Sequence, residues 1–173
     1  MVQYREIEGN LIDLALKGEF DVITHGSNCF CTMGAGLAPQ MSKHFNANSF
    51  LLEQKEFRGD INKLGNIDFK RMIVLENGTG VVSYSPNFKG VDLTVVNSYT
   101  QYNVASTDNS TPLDYQALQL CLKKINKTFS GLKIGLPQIG CGLAGGDWEI
   151  VKSLIIKELV DCRVTVVIFK PNV

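Results

Sequence analysis

A glycine-rich junction between a strand and a helix constrains this chain more than any other stretch. Val22-Ile23 is a short apolar run feeding the polar segment Thr24-His25-Gly26-Ser27-Asn28-Cys29-Phe30-Cys31-Thr32, which ends in Met33-Gly34-Ala35-Gly36. Beyond it Leu37, Met41 and Phe45 recur every four residues, the spacing of an amphipathic helix. Strand, Gly-rich loop, helix is the order in which α/β proteins present backbone N–H groups to a phosphate. The glycines on either side of Ala35 allow close backbone approach and positive φ. The segment completes neither a Gly-x-Gly-x-x-Gly fingerprint nor a P-loop, because no third glycine and no Gly-Lys-Ser/Thr follow. Taken alone, it is as readily a plain turn as a phosphate cradle.

A second unit of the same kind lies late in the chain. Lys133-Ile134-Gly135-Leu136-Pro137 reads as a short buried strand running into Gln138-Ile139-Gly140-Cys141-Gly142-Leu143-Ala144-Gly145-Gly146. Asp147 stands where an N-cap belongs, and Trp148, Val151, Leu154, Ile155 and Leu159 form the apolar face of the helix it opens. In an open α/β sheet, loops of this type meet at the carboxyl ends of adjacent strands, where ligands bind. Two facing loops rich in N–H groups suit a diphosphate better than a single phosphate.

Elsewhere strands and helices alternate. Tyr4 to Ile7 reads as an edge strand, and Leu11 to Leu16 as a short helix ending near Gly18. Helical signal recurs from Phe50 to Phe57, and Lys63 to Thr79 holds a strand or two, with turn signals at Asn77-Gly78 and Thr79-Gly80. Val81-Val82-Ser83-Tyr84 is expected to pair with Leu93-Thr94-Val95-Val96-Asn97 across a turn from Pro86 to Gly90. A loop from Ser106 to Pro112 precedes Asp114, which caps a helix carrying Ala117, Leu118, Cys121, Leu122, Ile125 and Phe129 on one face. Arg163 to Phe169 is a β-branched run suited to a central strand. The pattern predicts one α/β domain over residues 1–173, with helices on a mixed sheet.

Charge and cysteine usage narrow the function classes. Lys+Arg and Asp+Glu both number 17, so no net charge draws the chain to nucleic acid or to a membrane surface. The set Lys123-Lys124…Lys127 is read as a solvated helix face. Cys29, Cys31, Cys121, Cys141 and Cys162 are odd in number and form no Cys-x-x-Cys pair, and His25 and His44 are the only histidines. That argues for reduced, packed thiols and against a metal site. No signal peptide or membrane span is read, so a cytoplasmic location is expected. Function must come from a site.

These motifs resemble those of macrodomains, the ADP-ribose-binding α/β fold. Glu8-Gly9-Asn10-Leu11 resembles the family's Gly-Asp-hydrophobic opening, and Thr24-His25-Gly26-Ser27-Asn28 stands where many members have Asn-Ala-Ala-Asn. Met33-Gly34-Ala35-Gly36-Leu37-Ala38 looks like the first Gly-rich loop, and Val95-Val96-Asn97-Ser98-Tyr99-Thr100-Gln101 like the mid-chain strand. The most specific match is Pro137-Gln138-Ile139-Gly140-Cys141-Gly142-Leu143-Ala144-Gly145-Gly146-Asp147-Trp148. The resemblance implies a single macrodomain, a three-layer α/β/α fold with a central mixed β-sheet. The His-Gly-Ser-Asn and Met-Gly-Ala-Gly pair is similar to the branch holding ADP-ribose 1″-phosphate phosphatases and terminal ADP-ribose glycohydrolases.

Carried over by position, the resemblance implies an ADP-ribose site formed by Gly9, Asn10, Leu11, Ser27, Asn28, Met33, Gly34, Ala35, Gly36, Leu37, Pro137, Gln138, Ile139, Gly140, Cys141, Gly142, Leu143 and Ala144. Asn10 replaces an Asp that bonds the adenine amine, and its carbonyl is expected to accept the same bond without charge assistance. Phe169 is placed either near adenine or in the core. Ala38 and Ala144 stand where two hydrolase groups carry Asp, and Thr100-Gln101 falls near a catalytic Lys, so a lysyl mechanism is not expected. The expected catalytic pair is His25 with Asp147, acting on ADP-ribose 1″-phosphate without metal or cofactor. For Asp147 simple N-capping is the competing reading, and for His25 a loop hydrogen bond. The expected partner is ADP-ribose or a derivative, the oligomeric state a monomer, and the alternatives a non-catalytic ADP-ribose reader or a hydrolase of O-acetyl or protein-linked ADP-ribose.

Overall fold

The computed structural model describes residues 3–50, 58–76 and 80–171. Seven strands form one sheet: β1 (Gln3–Gly9), β2 (Val22–Asn28), β3 (Ile67–Leu75), β4 (Val81–Ser83), β5 (Gly90–Gln101), β6 (Lys133–Leu136) and β7 (Arg163–Phe169). Their order is β1-β7-β6-β2-β5-β3-β4. The first five of that order run parallel, while β3 is antiparallel to both β5 and β4. Four helices are described: α1 (Leu11–Leu16), α2 (Ala38–Phe45), α3 (Tyr115–Thr128) and α4 (Trp148–Glu158). The expected helix across Phe50 to Phe57 lies almost wholly outside the described residues, as do the turn positions 77–79.

The interior parallel strands carry runs of successive apolar residues, such as Val22-Ile23, Val95-Val96 and Val166-Val167, because both faces are covered. Val22, Val96, Ile134, Leu136, Val164 and Val166 pack with Leu118, Leu122, Ile125, Val151 and Ile155 of α3 and α4. Their neighbours Ile23, Val95 and Val167 pack on the opposite face with Leu11, Ile12 and Ala15 of α1 and Met41 and Phe45 of α2. The two-residue period of a strand thus sorts Val22 from Ile23 into different cores, giving three layers, α1 and α2, sheet, α3 and α4. Each helix start is fixed locally: Asn10, Asp114 and Asp147 accept bonds from the first-turn N–H groups of α1, α3 and α4. Pro39 occupies the first turn of α2, where its missing N–H costs nothing.

One pairing differs from expectation. Val81–Ser83 does not pair with β5; it pairs with β3 at Met72↔Ser83 and Val74↔Val81, while β3 takes the whole flank of β5 from Ile67↔Ser98 to Leu75↔Gly90. The segment read as a strand or two is one nine-residue strand that fills this place, and its length wins the long β5 edge. Arg163 to Phe169 is an interior strand between β1 and β6, and β1 is an edge as read.

Candidate ligand site at the two glycine loops

The strands β2 and β6 are neighbours, so the loops that follow them rise from one end of the sheet. The first loop is shaped by Asn28. Its Oδ1 accepts from the N–H groups of Phe30 (3.1 Å) and Thr32 (3.3 Å), and its Nδ2 donates to the Thr32 carbonyl (3.0 Å) and Oγ1 (2.9 Å). Cys31 is held at φ 59°, a left-handed conformation costly for a side chain with a Cβ, inside this ring of bonds. The turn delivers Met33 to Leu37 to the start of α2. The Asn28 amide is fully engaged in building the loop.

The second loop wraps one side chain. Gly146 N–H donates to the Gly140 carbonyl (2.8 Å), Gly145 to Gly142 (3.1 Å) and Leu113 to Ala144 (3.2 Å). A Cβ on Gly140, at φ +75°, would come within 2.7 Å of Leu113 Cδ1, and one on Gly146 within 2.4 Å of Leu113 Cδ2. Leu113, itself bridged to Gln101 at the end of β5, therefore acts as the bolt around which the loop closes. The two loops meet: a Cβ on Gly36 would stand 3.6 Å from Leu143 Cδ1. At Gly34 and Gly142 no atom lies within 4 Å of such a Cβ, so both glycines face open space. Among the described residues, the N–H groups of Gly34, Ala35, Gly36, Gly142 and Leu143 make none of the loop hydrogen bonds. Free donors from two converging loops are the arrangement that suits an anion.

His25 and Asp147, the two residues read as a catalytic pair, are not brought together. His25 shares the Ile23 face of β2, beneath α2, and is 2% exposed. Its Nε2 lies 2.6 Å from Asn97 Oδ1, and Asn97 Nδ2 in turn donates to the Ala47 carbonyl (3.1 Å) and to Asp68 Oδ1 (2.8 Å). Burial pushes the imidazole down to about 4, opposed by the bond to Asn97, so it is neutral at pH 7. Asp147 is exposed at the other face, with Oδ1 accepting from Glu149 N–H (2.9 Å) and its own N–H donating to the Tyr115 hydroxyl (2.9 Å). His25 is thus sealed and neutral within the Asn97 network, while Asp147 stands exposed as the cap of α4.

The low value carries a pH prediction. The unfolded chain protonates His25 near 6.5 and the folded chain near 4, so folding gains from the neutral form above pH 6.5 and loses that gain as pH falls to 4. The contribution is about 3 kcal/mol at full extent. Melting temperatures recorded between pH 7 and 4 should fall, and the fall should be shallower in His25→Gln.

The remaining expected positions fall into place by element. Gly9 ends β1, paired with Phe169, and Leu11 is buried in the first turn of α1. Asn10 Oδ1 is committed to the N–H groups of Ile12 (2.9 Å) and Asp13 (3.3 Å). The carbonyl expected to receive a base amine is thus occupied by the helix cap, and Nδ2 is the polar atom left for other partners. Phe169 is 65% exposed at the end of β7, which rules out a core role. Ile139 and Ala144 are buried under the second loop, while Leu143 is 65% exposed at its tip. Burial raises the Cys29, Cys141 and Cys162 thiols to about 11 and the Cys121 thiol to about 12, so they are protonated at neutral pH and poor nucleophiles. Among the described residues no three His, Cys, Asp or Glu side chains converge as a metal site.

The polar chain behind the first loop was not read from sequence. Tyr99 hydroxyl donates to Asp68 Oδ2 (2.5 Å), and the buried Lys63 ammonium donates to the Cys29 carbonyl (3.3 Å) and lies 3.8 Å from Cys31 Sγ. Lys63, Asp68 and Tyr99 line a cavity of about 280 Å³. Two buried hydroxyls, Ser27 Oγ and Thr100 Oγ1, have no hydrogen-bond partner among the described residues. The available signal was the run Asn97-Ser98-Tyr99-Thr100, four residues with polar groups following Val95-Val96 within one strand.

Comparison with known proteins fits this geometry. No family model matches the chain. It is 28% identical to an uncharacterized 17.5 kDa protein of the tk-vs intergenic region of Enterobacteria phage T4, over 95% of this chain and 96% of that protein. Among solved structures it is similar to a Bacteroides thetaiotaomicron protein of unknown function, with TM-score 0.68, 25% identity and coverage of 96% and 98%. It is also similar to Thermosipho africanus DarTG in complex with ADP-ribose, with TM-score 0.69 and 16% identity, covering 99% of this chain and 42% of that one. The macrodomain of Thermus aquaticus DarG superposes with TM-score 0.63 at 20% identity, over 97% and 98%. The likeness covers nearly the whole of this chain in each case, and the fold of the chain is that of a macrodomain.

Proposed function

We propose that the chain binds ADP-ribose across its two glycine loops and hydrolyses the terminal phosphate of ADP-ribose 1″-phosphate. The observation that carries the reading is the meeting of two glycine loops in which, among the described residues, the N–H groups of Gly34, Ala35 and Gly36 and those of Gly142 and Leu143 make none of the loop hydrogen bonds. Structures similar in fold, from Thermosipho africanus and Trypanosoma brucei, hold ADP-ribose. The loop N–H groups take the diphosphate and stabilise charge that builds on the phosphoryl oxygens. In the hydrolysis a water oxygen bonds to phosphorus, the bond from phosphorus to the ribose oxygen breaks, and that oxygen leaves with a proton as the ribose hydroxyl. Asp147, exposed directly after the second loop, is assigned the assisting role through Oδ2, because Oδ1 accepts the Glu149 N–H in its cap. His25 contributes by fixing β2 beneath the loop.

A second reading, a non-catalytic ADP-ribose reader, is favoured by the separation of His25 from Asp147. Phosphate release from ADP-ribose 1″-phosphate separates the two. The enzyme reading expects turnover by the wild type and a loss of about 100-fold or more in Asp147→Asn, which retains an N-cap oxygen and hence stability. Binding with no release from the 1″-phosphate, O-acetyl or protein-linked derivatives selects the reader. Unchanged turnover in Asp147→Asn removes Asp147 from the chemistry.

A further inference from the structure

The amino ends of β1, β6 and β7, at the far end of the sheet from the glycine loops, carry a second concentration of polar groups. Strand register lays it out: Arg163 lies between Gln3 and Lys133, and Thr165 lies between Arg5 and Gly135. The two-residue period puts these residues on the face of Ile7 and Val167, the side covered by α1 and α2. The helix α1 ends at Leu16, and the chain returns through Glu19-Phe20-Asp21 into β2. Phe20 comes down onto the bare Gly135, where a Cβ would lie 2.6 Å from Phe20 Cδ2. That contact holds Glu19 beside a cavity of about 300 Å³, which Gln3, Arg5, Lys133, Arg163 and Thr165 also line.

Three cations line this cavity, and among the described residues none of Arg5, Lys133 and Arg163 makes an ion pair. Lys133 and Arg163 are direct cross-strand neighbours, and like charges so placed repel. Arg5 Nε donates to Thr165 Oγ1 (2.9 Å), and an Arg163 Nη donates to the Gly131 carbonyl (3.3 Å). Each guanidinium is anchored through one nitrogen and keeps further N–H donors. The carboxylates at hand are Glu19 on the cavity wall and Asp21, whose Oδ2 accepts the Lys133 backbone N–H (2.8 Å). Positive charge remains in excess. Guanidinium forks match the oxygens of a phosphate, and the lysine adds a point charge. We infer that this cavity is a second anion site, which takes a phosphate group, free or on a small organic carrier, between Arg5, Lys133 and Arg163. Its volume is at the lower end of small-molecule pockets, roughly 300–1,000 Å³, and Gln3 and Glu19 supply polar contacts for hydroxyls of a carrier. The site is independent of the proposed ADP-ribose site, which lies at the opposite ends of the strands.

Amide spectra of the full chain titrated with inorganic phosphate and with ribose 5-phosphate, at constant ionic strength set by chloride, test it. The expected result is a saturable shift of Arg5, Lys133, Arg163 and Thr165 along one curve for each probe. Lys133→Gln and Arg163→Gln should each weaken phosphate about tenfold, the worth of one charge-assisted hydrogen bond, with ADP-ribose affinity unchanged. Glu19→Gln should bind inorganic phosphate more tightly, because it removes a negative charge from the wall. Ribose 5-phosphate bound more tightly than phosphate assigns a phosphorylated carrier, and ribose 5-phosphate bound no more tightly assigns free phosphate. The inference is overturned if the shifts do not saturate, if chloride alone produces them, or if they persist unweakened in both Lys133→Gln and Arg163→Gln. Shifts confined to Gly34, Ala35, Gly36, Gly142 and Leu143 also overturn it, and leave the ADP-ribose reading standing.

Discussion

Asn97→Leu should lower the stability of this protein by about 3 kcal/mol, a drop in melting temperature of roughly 6–12 °C for a chain of this size. Asn97 is wholly buried and one amide serves three groups, His25 Nε2, the Ala47 carbonyl and Asp68 Oδ1. Leucine matches its size but leaves His25 without this partner in a site that water does not reach. A neutral imidazole nitrogen stripped of its hydrogen bond carries the full desolvation penalty, and the Ala47 carbonyl loses a donor at the same time. The network also ties β2, β3 and β5 to the segment after α2, so its loss should loosen the base of the first glycine loop. Thermal unfolding of Asn97→Leu and Asn97→Asp checks this, and a change below 1 kcal/mol in Asn97→Leu would show that the network adds little.

Gly140→Ala should weaken ADP-ribose binding by more than tenfold while costing about 1–3 kcal/mol of stability. Two effects combine. The residue sits at φ +75°, where alanine is strained, and all three atoms nearest to a new Cβ belong to Leu113, the closest at 2.7 Å. Because Leu113 is fully enclosed by the loop, relief requires the loop to move, and its free N–H groups then leave the positions that face Gly34 to Gly36. Adding Leu113→Ala should recover the steric part and leave the backbone part, so the double variant should be less impaired in binding than the sum of the singles. Additive losses would show that Leu113 is not what shapes the loop.

Much of this architecture was legible because it depends on local pattern. The four-residue repeat of Leu37, Met41 and Phe45, the face of Ala117 to Ile125, and Asp114 and Asp147 before their helices all report local physics, and each element formed where they stand. The glycine loops were legible for the same reason. Strand pairing was not: β3 lies between β4 and β5, and nothing in Val81 to Ser83 reports a partner chosen by the length of another strand.

Strand parity explains the setting of His25. Val22 and Ile23 belong to opposite faces, and two residues on, His25 must share the Ile23 face, away from the core that carries the second loop. The same counting puts Gly26 on the Val22 face, beneath Ile139, where the unmet Thr100 hydroxyl lies. For Asn10 the sequence left two uses of the side-chain carbonyl open, a base amine and a helix cap. The helix N-terminus takes it first.

The central claim is that two glycine loops act as one diphosphate site, and amide resonances of the wild-type protein titrated with ADP-ribose test it most directly. The expected result is that the N–H signals of Gly34, Ala35 and Gly36 and those of Gly142 and Leu143 shift together, along one binding curve. Shifts confined to a single loop, or none in either, would contradict it.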